Sequence, residues 1–189
     1  MSYEHNIPNF LTLFRVLLIP IFVIVFYLPF HFAHPLAGII FAIASITDWF
    51  DGYLARKWKQ SSPFGAFMDP VADKLLVSIS LLLLLGQKDI NYITLPAIII
   101  VGREILISAL REWMAELGSR ASVTVSYVGK VKTTLQMIAL FLLITFDLAS
   151  SYWAWLGFVL LYVAAILTLW SMLVYISLAW PLIVGKATE

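Results

Sequence analysis

The chain has 189 residues, 62% of them hydrophobic and 12% charged, and its mean hydropathy is +0.95. This composition excludes an ordinary soluble domain and indicates an all-α polytopic membrane protein. A net charge of +1 with dispersed basic residues does not suggest nucleic-acid binding, and the absence of cysteine excludes disulfides and thiolate metal sites. Without repeats, low-complexity tracts or a cleavable leader pattern, we expect one integral membrane domain over residues 1–189.

The first predicted span, residues 10–31, follows a polar segment that ends at Asn9. Thr12 and Arg15 lie three residues apart, so they share a face of this helix. All three polar side chains could line a site inside the protein. The alternative is that Asn9 caps the helix and Arg15 extends its charged end to the membrane interface.

The second and third predicted spans, residues 36–57 and 66–86, carry four aspartates in apolar surroundings. One aspartate at the centre of a membrane helix costs about 3 kcal/mol, so these side chains need compensating partners. Two are spaced i, i+3 and two i, i+4, which places each pair on one helix face. Hard cations suit oxygen ligands, so we predict a site for two divalent cations, Mg²⁺ or Mn²⁺. The predicted metal ligands are Asp48, Asp51, Asp69 and Asp73. The alternative, structural ion pairs, would leave charge uncompensated.

The fourth and fifth predicted spans, residues 92–117 and 129–146, each carry a polar stripe at helical spacing. The stripes are Glu104, Ser108 and Arg111 on one helix, and Gly129, Lys132, Thr133 and Gln136 on the other, with Lys130 beside them. Ionisable side chains inside a membrane usually line a cavity, so we predict an anion pocket here. The alternatives are a structural ion pair in the fourth span and a cationic belt at the interface in the fifth.

The sixth predicted span, residues 152–182, has no charged residue inside it. Six spans place both termini on one side of the membrane. Eleven of the 12 Lys and Arg residues, all except Lys88, then fall on that side or in helices that open toward it. The positive-inside rule predicts that this side is cytoplasmic.

The aspartates belong to a longer pattern: Asp48-x-x-Asp51-Gly52-x-x-Ala55-Arg56, eight residues, then Gly65-x-x-x-Asp69-x-x-x-Asp73. This pattern resembles the signature of the CDP-alcohol phosphatidyltransferase family at all of its fixed positions. The resemblance implies that family's fold of six transmembrane helices, two bound Mg²⁺ or Mn²⁺ ions, and a homodimer in the bacterial inner membrane with its active site facing the cytoplasm.

The resemblance also implies roles for individual residues. Asp48 and Asp69 would bind both ions, Asp51 and Asp73 would each complete one, and Asp73 would accept the proton of the acceptor hydroxyl. The residues implied in binding CDP-diacylglycerol are Asn9, Thr12, Gly52, Ala55, Arg56, Ser62 and Gly65.

The segments NIPNFLTLFR, REILISALRE and GKVKTTLQ resemble family members whose acceptor is sn-glycerol 3-phosphate. This implies transfer of a phosphatidyl group to that acceptor, giving phosphatidylglycerophosphate and CMP. The predicted acceptor pocket comprises Arg103, Glu104, Arg111, Lys130, Lys132 and Thr133. Phosphatidylglycerol, serine or an inositol phosphate are alternative acceptors. A divalent-cation transporter is an alternative of another class, although the acids lie toward one membrane face and the last two spans contain none.

Overall fold

The computed structural model describes residues 7–58, 63–87, 91–116, 127–147 and 150–183. Six α-helices account for most of these residues, and no strand occurs within these ranges, which confirms the predicted all-helical fold. The helices are α1 Ile7–Phe26, α2 Ala33–Trp58, α3 Pro63–Leu85, α4 Thr94–Glu116, α5 Tyr127–Thr145 and α6 Tyr152–Ile183, with a 3₁₀ turn at Asn91–Ile93 before α4.

The first helix is shorter than predicted, because α1 ends at Phe26 and not at residue 31. The chain turns here through hydrogen bonds that Tyr27 and Leu28 donate to carbonyls three residues earlier. The turn itself is apolar, so hydropathy alone does not mark the end of the helix. The other helices begin and end within three residues of their predicted bounds.

The helices pack around one apolar core. α5 lies along α6 and α1 along α2, while α1 also contacts α3, α2 contacts α5, and α4 contacts α6. Core side chains from the six helices include Phe22, Phe41, Leu81, Ile100, Leu140 and Leu161. Gly157 allows the close contact of α6 with α5, because a Cβ atom there would lie 2.9 Å from Leu142 Cβ and 3.0 Å from the Ala139 carbonyl oxygen.

The outer surface is rich in apolar side chains. Exposed large hydrophobic residues occur on every helix and include Ile24, Ile39, Leu82, Ile105, Ile138 and Ile166. One helical stretch among the described residues, Tyr152–Ser177, is long and apolar enough to cross a membrane, with a mean hydropathy of 2.3. Phe10–Phe26 and Ala33–Asp48 are shorter apolar stretches. Six helices are therefore confirmed, and one of them meets the criterion for a span by length and composition.

Candidate active site

Two side chains of helix α1 donate hydrogen bonds to two of the four aspartates, which lie on α2 and α3. Arg15 is completely buried, with 0% of its side chain exposed, and its Nη1 donates a hydrogen bond of 2.5 Å to Asp48 Oδ1. Thr12, also buried, donates from Oγ1 to Asp69 Oδ1 at 2.5 Å. The shared face predicted for Thr12 and Arg15 therefore points at the carboxylates. The alternative in which Arg15 reaches the membrane interface is wrong, because its guanidinium is paired in the interior.

Asp48 and Asp73 line one cavity of about 400 Å³. The Asp48 side chain is 39% exposed, and Asp48 lies within electrostatic range of both Asp69 and Asp73. Both predicted pairs lie on helices, α2 and α3, as their spacing required. α2 continues through Asp51, whose side chain is outside the described part of the structure.

The donor chemistry at this site fits a hard divalent cation, because carboxylate oxygens are the ligands that Mg²⁺ and Mn²⁺ prefer. Among the described side chains, no three acidic, histidine or cysteine residues converge to form a complete metal site. The predicted set includes Asp51, so the described carboxylates amount to part of it. The two-cation site stays a prediction.

Helices α4 and α5 form a charged cluster around Glu104, the member of the cluster that lines the cavity. Arg103 Nη1 donates a hydrogen bond of 2.7 Å to Glu104 Oε1, and Lys132 Nζ lies 3.7 Å from the same oxygen. Lys132 is only 2% exposed, and Glu104 lines the cavity. Two cations surround one carboxylate, so the cluster has a formal excess of positive charge. Such an excess favours an anionic ligand.

Lys74 links the cavity to α4. Its Nζ donates to Ser108 Oγ, and Ser108 Oγ donates in turn to the Glu104 carbonyl oxygen at 2.5 Å. Lys74 lines the cavity next to Asp73 but was not among the predicted site residues. Its position directly after the last aspartate of the signature was the available signal.

The predicted acceptor residues do not all lie at the cavity. Thr133 lines it, although its hydroxyl donates to the backbone carbonyls of Gly129 and Lys130. Lys130 is exposed. Arg111 is also exposed, and its Nε lies 3.2 Å from Tyr175 Oη on α6, with the guanidinium above the tyrosine ring. Of the predicted acceptor residues, Glu104 and Thr133 therefore line the cavity, and Lys132 and Arg103 both pair with Glu104.

The predicted CDP-diacylglycerol residues are described only in part. Thr12 contacts Asp69, and Gly65 is buried in α3. Ser62 lies outside the described residues, and so do the side chains of Asn9, Ala55 and Arg56 together with the surroundings of Gly52.

Three further polar residues line the cavity without having been assigned to a substrate. Gln136, predicted only as part of the polar stripe on α5, is 4% exposed, and Thr134 and Ser45 were not predicted at all. Gln136 follows Lys132 and Thr133 on one face of α5, which was the signal in the sequence. Ser45 precedes Asp48 by one helical turn and carries no distinguishing signal.

A family model described as CDP-alcohol phosphatidyltransferase matches residues 5–183. The chain belongs to the CDP-alcohol phosphatidyltransferase family. The resemblance carried by the aspartate signature is therefore confirmed, and membership favours a transferase over a cation transporter. The Salmonella typhimurium protein named CDP-diacylglycerol–glycerol-3-phosphate 3-phosphatidyltransferase is 58% identical over 177 residues, which are 93% of this chain and 96% of the relative.

Two more relatives carry the same name. The Shigella flexneri protein is 56% identical over 93% of this chain and 96% of its own length. The Yersinia enterocolitica protein is 56% identical over 93% of this chain and 95% of its own length. The aligned region therefore covers most of the chain in all three comparisons.

Proposed function

We propose that the protein transfers the phosphatidyl group of CDP-diacylglycerol to sn-glycerol 3-phosphate, forming phosphatidylglycerophosphate and CMP in phospholipid biosynthesis. The observation that carries this proposal is the 58% identity, over 93% of the chain, to a relative whose name states both substrates. The cavity supports it, because signature carboxylates and a cationic cluster suit a reaction between two phosphate-containing substrates.

The acceptor phosphate binds near Lys74 and near the two cations that pair with Glu104. Lys132 and Arg103 approach Glu104 from two helices, and Lys74 lines the cavity from α3. Charge-assisted hydrogen bonds from such cations are the strong ones for a phosphate. Glu104 keeps Arg103 and Lys132 in place by pairing with both.

The reaction is a displacement at the phosphorus that bears the diacylglycerol. The acceptor hydroxyl oxygen forms a bond to this phosphorus, and the bond from phosphorus to the oxygen of the departing CMP breaks. Asp73, which lines the cavity, accepts the hydroxyl proton. Asp73 lines the same cavity as Lys74 and as Glu104, with which Arg103 and Lys132 pair. A glycerol phosphate bound there can present its free hydroxyl to the Asp73 carboxylate.

The signature residues hold the other substrate. Gly52, Ala55, Arg56, Ser62 and Gly65 bind the CDP pyrophosphate together with Asn9, as the family resemblance implies. Thr12 acts through Asp69, whose carboxylate it contacts. Two divalent cations, Mg²⁺ or Mn²⁺, would supply positive charge to stabilise the departing CMP. The residues that would hold them are Asp48, Asp51, Asp69 and Asp73.

The membrane arrangement is part of the proposal. All six helices span the inner membrane of a bacterial cell, the active site faces the cytoplasm, and the protein works as a homodimer. The apolar outer surface on every helix supports the embedding, because lipid-facing side chains must be apolar. The charged residues of the site meet one another inside the helix bundle.

The decisive experiment measures CMP release by the purified protein in detergent with CDP-diacylglycerol, with and without sn-glycerol 3-phosphate and Mg²⁺ or Mn²⁺. Release should require both the acceptor and a metal ion, and EDTA should abolish it. Asp73→Asn should lower the rate at least about 100-fold, because a general base typically contributes that factor or more. Asp147→Asn, the same change in the α5–α6 turn, should retain activity.

Other outcomes would change the proposal in defined ways. Release only with phosphatidylglycerol, serine or an inositol phosphate would keep the family reaction and replace the acceptor. If no alcohol supports release, the transferase proposal fails for this chain. Cation uptake into vesicles would then support transport.

A further inference from the structure

Most polar side chains that line the cavity already have partners within the protein. Asp48 pairs with Arg15, Glu104 with Arg103, and Lys74 with Ser108. The hydroxyls of Ser45, Thr133 and Thr134 donate to backbone carbonyls of their own helices. Within the described part of the chain, two polar side chains of the cavity form no hydrogen bond. They are Asp73 and Gln136.

Gln136 is the more buried of the two. The residue as a whole is 4% exposed, and it lines the cavity. Because its amide has no hydrogen-bond partner among the described side chains, a ligand or water in the cavity can complete its hydrogen bonds. The side chain lies nine residues along α5 from Tyr127, about 14 Å from the start of the helix. Its position indicates a ligand deep in the cavity.

The chemistry of an amide narrows the choice of ligand group. A glutamine side chain both donates and accepts hydrogen bonds and carries no charge. A hydroxyl group has the same dual capacity, whereas an ionised phosphate only accepts and is better held by the cations of Lys74, Lys132 and Arg103. Gln136 therefore suits a hydroxyl of the acceptor.

We propose that Gln136 is a specificity-determining residue that binds the non-reacting hydroxyl of the acceptor, while Asp73 takes the proton of the reacting one. This inference rests on the proposed function. sn-Glycerol 3-phosphate has two hydroxyls, and the two cavity side chains without a hydrogen bond in the described part of the protein are Gln136 and the proposed base. Gln136 then selects an acceptor that carries a hydroxyl beside the reacting carbon.

The test compares sn-glycerol 3-phosphate with 3-hydroxypropyl phosphate, which keeps the reacting hydroxyl and the phosphate but lacks the middle hydroxyl. Both are assayed by CMP release with saturating CDP-diacylglycerol, for the wild-type protein and for Gln136→Met, a substitution of similar length and volume. The wild type should prefer glycerol phosphate at least about tenfold in kcat/KM. Gln136→Met should lose most of this preference through a lower kcat/KM for glycerol phosphate.

Activity of Gln136→Met with 3-hydroxypropyl phosphate should remain within about twofold of wild type, and this shows that the variant is folded. Thr134→Val is the matched control, because Thr134 lines the same cavity but its hydroxyl already donates to the Lys130 carbonyl. This variant should keep the wild-type preference.

Three results would overturn the inference while leaving the proposed function intact. The first is that the wild type has the same kcat/KM for both acceptors. The second is that Gln136→Met keeps the wild-type preference. The third is that the substitution lowers kcat/KM for both acceptors by the same factor. The last result would assign Gln136 to the CDP-lipid or to the fold. Absence of transfer by the wild type to either acceptor would instead reject the proposed function, and the inference with it.

Discussion

Arg15 shows how single residues organise the site. Its guanidinium is completely buried and pairs with Asp48, a carboxylate that the family signature assigns to metal binding. Thr12, one turn earlier on α1, holds Asp69 in the same way. A carboxylate whose hydrogen-bond partner is fixed has fewer rotamers available, so α1 pre-orients one aspartate from each pair.

Removing the Arg15 charge should destabilise the protein. Loss of one partner from a buried ion pair costs about 3–5 kcal/mol, and the partial exposure of Asp48 reduces this cost. We expect Arg15→Met to lower the melting temperature in detergent by about 5 °C. Arg15→Lys should recover part of the loss, because it restores the charge without the fork geometry.

Arg111→Met is the matched control for this prediction. Arg111 is exposed and contacts Tyr175 at the surface, so its loss should change the melting temperature by less than half as much. Equal effects of the Arg15 and Arg111 substitutions would contradict a special role for the buried pair. Residual CMP release by each variant should be measured beside the melting curves.

The residues of the site could be predicted by type and face, but not by pairing. Helical spacing correctly grouped Thr12 with Arg15 and Lys132 with Thr133. The Arg15–Asp48 pair joins positions 33 residues apart, and no local pattern encodes such a contact. Spacing also could not separate Lys132, which is buried beside Glu104, from Arg111, which is exposed against α6.

At the scale of elements, apolar length and polar interruption were sufficient to predict six helices and most of their ends. The exception was α1, which ends at Phe26 although the following residues remain apolar. The contacts between helices were harder to predict from the sequence, because they depend on small residues at the points where helices cross. Gly157 is such a residue, since it lies against both the Ala139 carbonyl and Leu142 on α5.

The same substitution at two glycines should therefore have opposite effects. Gly157→Ala places a methyl group about 3.0 Å from the Ala139 carbonyl oxygen, and overpacking of this kind costs about 1–3 kcal/mol. At Gly102 on α4, a Cβ atom would have no neighbouring atom within 4 Å, so Gly102→Ala should stabilise its helix by up to about 1 kcal/mol.

Melting temperatures in one detergent provide the comparison between the two alanine variants. We expect the value for Gly157→Ala to fall below wild type and that for Gly102→Ala to equal or exceed it. A Gly157→Ala variant as stable as the wild type would show that α5 and α6 can separate without cost. In that case the close contact would not be needed for the α5–α6 pair.

The described part of the molecule distributes polarity differently from a soluble protein. Arg15, Lys132 and Gln136 are buried, while isoleucines and leucines on every helix are exposed. A soluble chain would bury the apolar side chains and leave the charges in water. This distribution agrees with the membrane protein that the composition predicts. Hydropathy recognises fewer spans than helices, and charged residues interrupt the apolar runs of α3, α4 and α5.

The six-span arrangement makes a prediction about the two ends of α5. This helix has 19 residues, or about 28 Å, which matches a hydrocarbon core of about 30 Å. If α5 crosses the membrane, Glu116 before it and Ser150 after it lie on opposite sides. Both side chains are exposed, and the chain has no native cysteine, so single-cysteine variants report their own position without a background.

A membrane-impermeant maleimide should label Ser150→Cys in right-side-out vesicles and Glu116→Cys only in inverted ones. The expectation follows from the positive-inside rule, which places the basic, site-bearing ends of the helices in the cytoplasm. Labelling of both variants from one side would mean that α5 does not cross the bilayer. Exchange of the two patterns would place the carboxylate cavity on the outer face, where cytoplasmic glycerol phosphate could not reach it.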